Sequence, residues 1–291
     1  MEKTIRQIIL FLVLLAAFGL SGCGGGGGGG GGTPVDTGTI NKDNIKAIVG
    51  GLNPYASLGG VDDYLADLQI TDHDCQDGGN VITTGSISDP PAVNDTMTVT
   101  YNDCNEFGVI TDGTMTMTIT QISDNIDVKP WNVTIHLEYN MSSEDVNSGL
   151  VSTSSADNMY LSLSEDEDGN VGVMMQGDLQ SLQWDDEIET LSNFNLNFIY
   201  NSITGANSTD LNGDLDSTMI GDPISFETIT PFTSDGNTDY ATTGVLHITT
   251  SIDNSQALLT AQADGVSLEI KVDAAGDGDY EYVDLIPWSD L

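Results

Sequence analysis

Three kinds of side chain here could do chemistry: thiols, imidazoles and a large excess of carboxylates. The thiols are Cys23, Cys75 and Cys104, and the imidazoles are His73, His136 and His247. Cys75 and Cys104 form a natural disulfide pair in an oxidising compartment. Closing a loop of about 30 residues contributes roughly 3–4 kcal/mol in the chain-entropy treatment. A metal is the competing reading, because His73 and Asp74 sit beside Cys75. One histidine and two cysteines make three of the four ligands a closed zinc site needs, and no fourth stands at a recognisable spacing. The carboxylates bunch at Asp273, Asp277, Asp279, Glu281 and Asp284, and again at Glu165-Asp166-Glu167-Asp168. Oxygen ligands of this kind suit a hard cation such as calcium.

Catalytic patterns are missing. The chain has no Gly-x-Ser-x-Gly elbow and no His-Glu-x-x-His helix. His136 and His247 lie within alternating strand-like runs, where an ordinary pleat position accounts for them. Carboxylates are so numerous that their presence alone identifies no acid–base dyad. A non-catalytic protein is expected.

Cys23 has a different setting from the other two thiols. Lys3 and Arg6 precede an apolar run from Ile8 to Leu20, which ends in Leu20-Ser21-Gly22-Cys23. The run is too short for a bilayer core that needs about 20 residues, and it has the layout of a cleaved signal. Leu-Ser-Gly-Cys resembles the lipobox of bacterial lipoproteins, over residues 1–23 only. The resemblance implies removal of residues 1–22 and attachment of palmitate-type acyl chains at Cys23. Two or three chains bury enough methylenes, at about 0.8 kcal/mol each, for stable anchoring. In that family a glycine after the cysteine, here Gly24, is not an inner-membrane retention signal, so the cell envelope at the outer membrane is the implied location. Gly24 to Gly32 open a tether over 23–38 that behaves as a flexible coil of roughly 20 Å average reach.

The carboxylates at the other end have a resemblance of their own. From Asp273 to Asp284 the spacing resembles part of a twelve-position calcium-binding loop, with Asp at positions 1, 5 and 7, Gly at 6 and Glu at 9. Ala275 stands where position 3 should supply a ligand, and Asp284 is a shorter arm than the usual glutamate at position 12. The resemblance implies at most weak calcium binding. A plain Asp/Gly-rich hairpin is the competing reading.

Charge narrows the partners. The chain has 45 acidic residues against six basic ones, for a formal net charge of −39. Beyond Cys23 the only cationic side chains are Lys42, Lys46, Lys129 and Lys271. Such a surface repels phosphate backbones and anionic headgroups, so nucleic acid is excluded as a partner. What remains is the membrane, reached through the acyl chains, and an unidentified protein or surface partner.

These groups must be positioned by a scaffold that reads as all-β. One helix is expected over Thr39–Leu52, where Ile45, Ile48, Val49 and Leu52 share a face, Asn41 caps and Gly50-Gly51 stop it. A second short helix is expected at Val61–Leu68. From Val81 the period changes to 2. Met97, Val99 and Tyr101 alternate with threonines, as do Met115, Met117 and Ile119, and similar runs continue to Val266, Leu268, Ile270 and Val272. Turn chemistry at Asp168-Gly169-Asn170, Asn212-Gly213, Asp235-Gly236-Asn237 and Gly276-Asp277-Gly278 separates them. About 12 to 16 antiparallel strands are expected over 39–291, in a large curled sheet, an open barrel or a sandwich. Glycines followed by alternating residues at Gly85, Gly113, Gly177, Gly213 and Gly244 suggest two meander repeats, about 80–175 and 176–291. The functional expectation is a cell-envelope structural or surface-binding lipoprotein. A carrier of an apolar ligand, with Met115, Met117, Met174 and Met175 lining a cavity, is the other reading.

Overall fold

The computed structural model describes residues 40–56, 72–88, 90–123, 128–183, 187–218, 220, 222–238 and 240–290. The leader, Cys23, the tether, the expected helix at 61–68 and Trp184 lie outside the described residues. Helix α1 spans Ile45–Ala56. The strands are β1 His73–Asp74, β2 Asn80–Ser86, β3 Thr96–Glu106, β4 Val109–Ile122, β5 Trp131–Asp145, β6 Val151–Glu165 and β7 Asn170–Gln183. They continue as β8 Glu187–Asn201, β9 Asn207–Ser217, β10 Ile224–Ser234, β11 Thr243–Thr249, β12 Gln256–Ala261, β13 Ser267–Asp273 and β14 Tyr282–Pro287.

All fourteen strands form one antiparallel meander in sequence order, from β1 at one end to β14 at the other. Hairpin connection after hairpin connection needs no crossover, which suits a chain whose strands are separated by short turns. The described residues between 58 and 190 form one compact unit. Those of 40–56 and 191–290 form a second. The division falls inside β8.

In the first unit, alternation sends one face of each strand inward. Val99, Met115, Met117, Ile119, Val133, Ile135, Leu137 and Leu161 are all buried. Each such side chain contributes about 1.5–3 kcal/mol relative to exposure. The opposite face is a lattice of hydroxyls. Thr96 meets Thr118 at 3.1 Å, Thr98 meets Thr116 at 3.0 Å and Thr134 meets Ser162 at 2.9 Å. These contacts follow from the register, which pairs Thr96 with Thr118 and Thr98 with Thr116 directly across β3 and β4.

The recurring glycines have a physical basis. Gly113 and Gly177 lie inside long strands at φ +130° and +143°. A Cβ at Gly113 would fall 2.2 Å from the Asn140 carbonyl oxygen, and one at Gly177 would fall 2.4 Å from that of Asn158. The repeat is a device for bending strands against a neighbouring backbone. Gly213, expected in a turn, instead lies within β9, where a Cβ would crowd the Phe226 ring at 3.0 Å. The position needs glycine for close packing.

The second unit buries Leu246, Ile248, Leu259, Leu268, Ile270 and Val272 from its strands and Ile45, Ile48, Val49 and Leu52 from α1. The predicted helical face is therefore the buried one. Asn41 caps as expected, its Oδ1 accepting from the backbone N–H of Asp43 and Asn44. Regular helix begins only at Ile45 and runs through Gly50-Gly51 to Ala56. Two glycines cost about 1 kcal/mol each in a helix, which the buried apolar face on either side of them offsets. Upstream of the helix, the Ile40 N–H donates to Ser255 Oγ in a buried hydrogen bond. Val266, expected in the core, is exposed at the turn before β13.

Candidate functional site

Two groups of metal-type side chains come together among the described residues. The first holds Asp273, Asp277 and Glu281, on the loop joining β13 to β14. Each offers an oxygen within 4.8 Å of the others. Asp279 and Asp284, the remaining members of the calcium-loop pattern, are not in the group. Asp284 lies on β14, accepting from the Tyr282 hydroxyl at 2.8 Å and facing Lys46 at 4.0 Å.

Asp273 decides what this loop can do. It is fully buried. Oδ1 accepts from the backbone N–H of Gly276 at 2.7 Å and of Asp277 at 3.2 Å. Oδ2 accepts from Gly278 N–H at 2.8 Å and from Gln256 Nε2 at 2.9 Å. A carboxylate has about four lone-pair directions, so its acceptor capacity is taken up by the protein. The Gln256 amide foremost, with the three backbone N–H groups, holds the Asp273 carboxyl below its ordinary range against the opposing effect of burial. The chain of contacts continues outward. Gln256 turns its donor to Asp273, so its Oε1 faces His247 Nε2 at 2.8 Å and the imidazole donates there. Glu281 likewise accepts from Ala274 N–H at 3.0 Å. Asp273 is the keystone of a turn, and of these three only Asp277 and Glu281 are exposed, each already accepting one backbone N–H, from Asp279 and Ala274.

The second acidic turn follows the same rule. Asp166 accepts from the backbone N–H groups of Asp168 and Asn170 and from the Asn170 amide. These bonds, the Asn170 amide first, lower its pKa. Glu165 pairs with Lys129 and accepts from Trp131 Nε1. Asp95, Asp145 and Asp264 also accept backbone N–H groups at turns and are also held low. With Asp273, these five aspartates do turn chemistry, their carboxylates standing in for missing backbone acceptors.

The other group is built on the disulfide. Cys75 and Cys104 are bonded, with Cα atoms 5.4 Å apart, and both are buried. Cys75 N–H donates to Gly79 O, while Asp77 N–H donates to Asn105 O and Asn105 N–H donates to Gly78 O, lacing this loop to β3. A register break between Tyr101 and Cys104, with Asp103 at φ +47°, turns the cysteine toward its partner. His73 Nε2 lies 3.6 Å from Glu106 Oε1. His73, Cys75 and Glu106 bring their ligand atoms within 4.8 Å of one another. Burial, and then the Glu106 charge, push the Tyr101 phenol up to about 12. Sequence reasoning found His73, Cys75 and Cys104 but missed Glu106. The signal available was parity, since Cys104 and Glu106 are two apart on one strand and share a face.

His136 and Trp288 make ring contacts. His136 lies against Tyr160, ring centroids 4.8 Å apart, on the hydroxyl face. Trp288 is stacked by Tyr240 at 6.0 Å and met edge-on by Phe232 at 6.1 Å. No family model matches this chain, and neither does any curated protein or solved structure.

Proposed function

We propose that this chain is an exported lipoprotein, held by acyl chains on Cys23 and non-catalytic, serving the cell envelope as a structural or surface-binding protein. The leader and the Leu20-Ser21-Gly22-Cys23 pattern support the anchoring. The observation that favours this reading over a carrier is the burial of three of the four methionines, Met115, Met117 and Met175, with Met174 half-buried on the other face of β7. Met115 and Met117 retain only 1% exposure each. Side chains lining a ligand-sized hollow keep accessible surface toward it, so packing of this kind favours a filled core over a carrier's cavity. The polar face is equally committed to itself, its threonines hydrogen-bonded across strands. A stiff sheet presenting hydroxyls and carboxylates, with almost no cations, suits spacing or adhesion at a surface more than turnover of a substrate.

The test is the intact mass of native protein. Loss of residues 1–22 and a diacylglycerol-type adduct on Cys23 are the expected result, with Cys23→Ser leaving the membrane fraction. A retained leader or a bare thiol overturns the anchoring. Mass spectrometry of an organic extract of the same material addresses the core: a stoichiometric apolar ligand would restore the carrier reading.

A further inference from the structure

The disulfide has two metal-type neighbours, and Cys104, outside the convergent group itself, is tied to it through Cys75. Cys75, His73 and Glu106 already converge within 4.8 Å, and Cys104 is bonded to Cys75. We propose that reduction of Cys75–Cys104 uncovers a four-coordinate zinc site made of Cys75, Cys104, His73 and Glu106. Two thiolates, an imidazole and a carboxylate are all established zinc ligands, and the set supplies the fourth donor that the sequence pattern lacked.

Tetrahedral zinc with Zn–S bonds of about 2.3 Å places two sulfurs roughly 3.8 Å apart. The backbone is held independently of the disulfide, because Asp77 N–H donates to Asn105 O at 3.0 Å and Asn105 N–H to Gly78 O at 2.8 Å. His73 and Glu106 are 42% and 43% exposed at the side chain, which gives a cation a way in from solvent. The local field favours it, since Asp74, Asp77 and Asp103 flank the group and no lysine or arginine does.

The chemistry balances in two steps. A reductant, either a dithiol or a phosphine, delivers two electrons to the S–S bond. With a phosphine, water supplies the oxygen of the phosphine oxide and the two protons that complete the thiols. Zinc then displaces those two protons and takes both thiolates. One cross-link replaces another, so the 75–104 loop stays closed after reduction.

Cobalt(II) is the probe, because its spectrum reports both thiolate ligation and coordination number. The full chain carrying Cys23→Ser is reduced with a phosphine and titrated with cobalt. The expected result is one equivalent bound, with thiolate-to-cobalt charge transfer and the strong visible bands of a four-coordinate ion. Zinc displaces it, and the oxidised chain shows neither feature. His73→Ala and Glu106→Gln leave the disulfide intact, so their folding is checked by melting in the oxidised form. Each is expected to weaken cobalt binding by more than about 10-fold, a floor set by what even a supporting partner contributes. The proposal is overturned if the reduced chain gives no thiolate charge transfer or if either variant binds as tightly as the parent. It is also overturned if reduction unfolds the chain and metal does not restore its melting transition.

Discussion

Two clusters bring three potential metal ligands within the same 4.8 Å, and they differ in who already holds the ligand atoms. At Asp273, Asp277 and Glu281 the central carboxylate is saturated by three backbone N–H groups and the Gln256 amide. At His73, Cys75 and Glu106 the central atom is a sulfur committed to another sulfur. Proximity is common to both. The first commitment is part of the fold and dissolves only with it, whereas the second is a covalent bond that a reductant opens while the surrounding backbone stays paired. Convergence of ligand types therefore means little until the existing partners of each lone pair are counted.

The comparison can be broken most forcefully at Asp273. Replacing it with alanine strands three backbone donors and the Gln256 amide in a buried site, and the melting temperature is expected to fall by about 5–10 °C. Asp273→Asn recovers only part of this, because an amide must place a donor where the loop offers donors. A drop of less than 2 °C by differential scanning calorimetry would refute the keystone role. Reduction without added metal comes next. It is expected to cost roughly 3–4 kcal/mol, the entropy of a loop of 29 residues, read from denaturant midpoints at constant slope. If the loss is recovered by micromolar zinc, the two clusters differ in the way described above.

Acid gives a third test. Asp273, Asp166, Asp95, Asp145 and Asp264 are all held below the ordinary carboxylate range in the folded state by the hydrogen bonds they accept. A depressed carboxylate contributes stability that is complete above its unfolded pKa and is lost as pH falls through its folded one. Melting temperature is therefore expected to drop steeply below about pH 4. Asp210 has the opposite sign, since burial and the Glu227 charge raise its pKa, and its contribution fades as pH rises. A melting temperature that held steady or rose from pH 4 to pH 2 would contradict the turn-cap account. The smallest effect belongs to calcium. At millimolar concentration it is expected to shift melting by less than about 1 °C, because the buried Asp273 has its acceptor capacity taken up by the turn. A larger shift, lost in Glu281→Gln, would reopen the calcium loop.

Sequence by itself determined the all-β class, while a curled sheet, an open barrel and a sandwich all stayed compatible with it. Period-2 alternation, interrupted by Asp/Gly/Asn turns, is enough to specify strands with one buried face, because a slip of one residue would put a whole apolar row into water. The same alternation placed Met115, Met117, Ile135 and Leu137 in the core and His136 on the polar face. Cys75 and Cys104 were legible as a pair because only three cysteines exist and one has a separate setting at Cys23. Tertiary structure alone decided the rest. That Gly213 packs inside a strand, that α1 continues across Gly50-Gly51, and that the Asp273 carboxylate is taken up by its own turn and by Gln256 all depend on neighbours supplied by the tertiary structure. Glu106 joined His73 only because β1 and β3 both flank β2. A linear chain encodes its periodicities locally, but which lone pair meets which proton is settled only when distant strands fix their register.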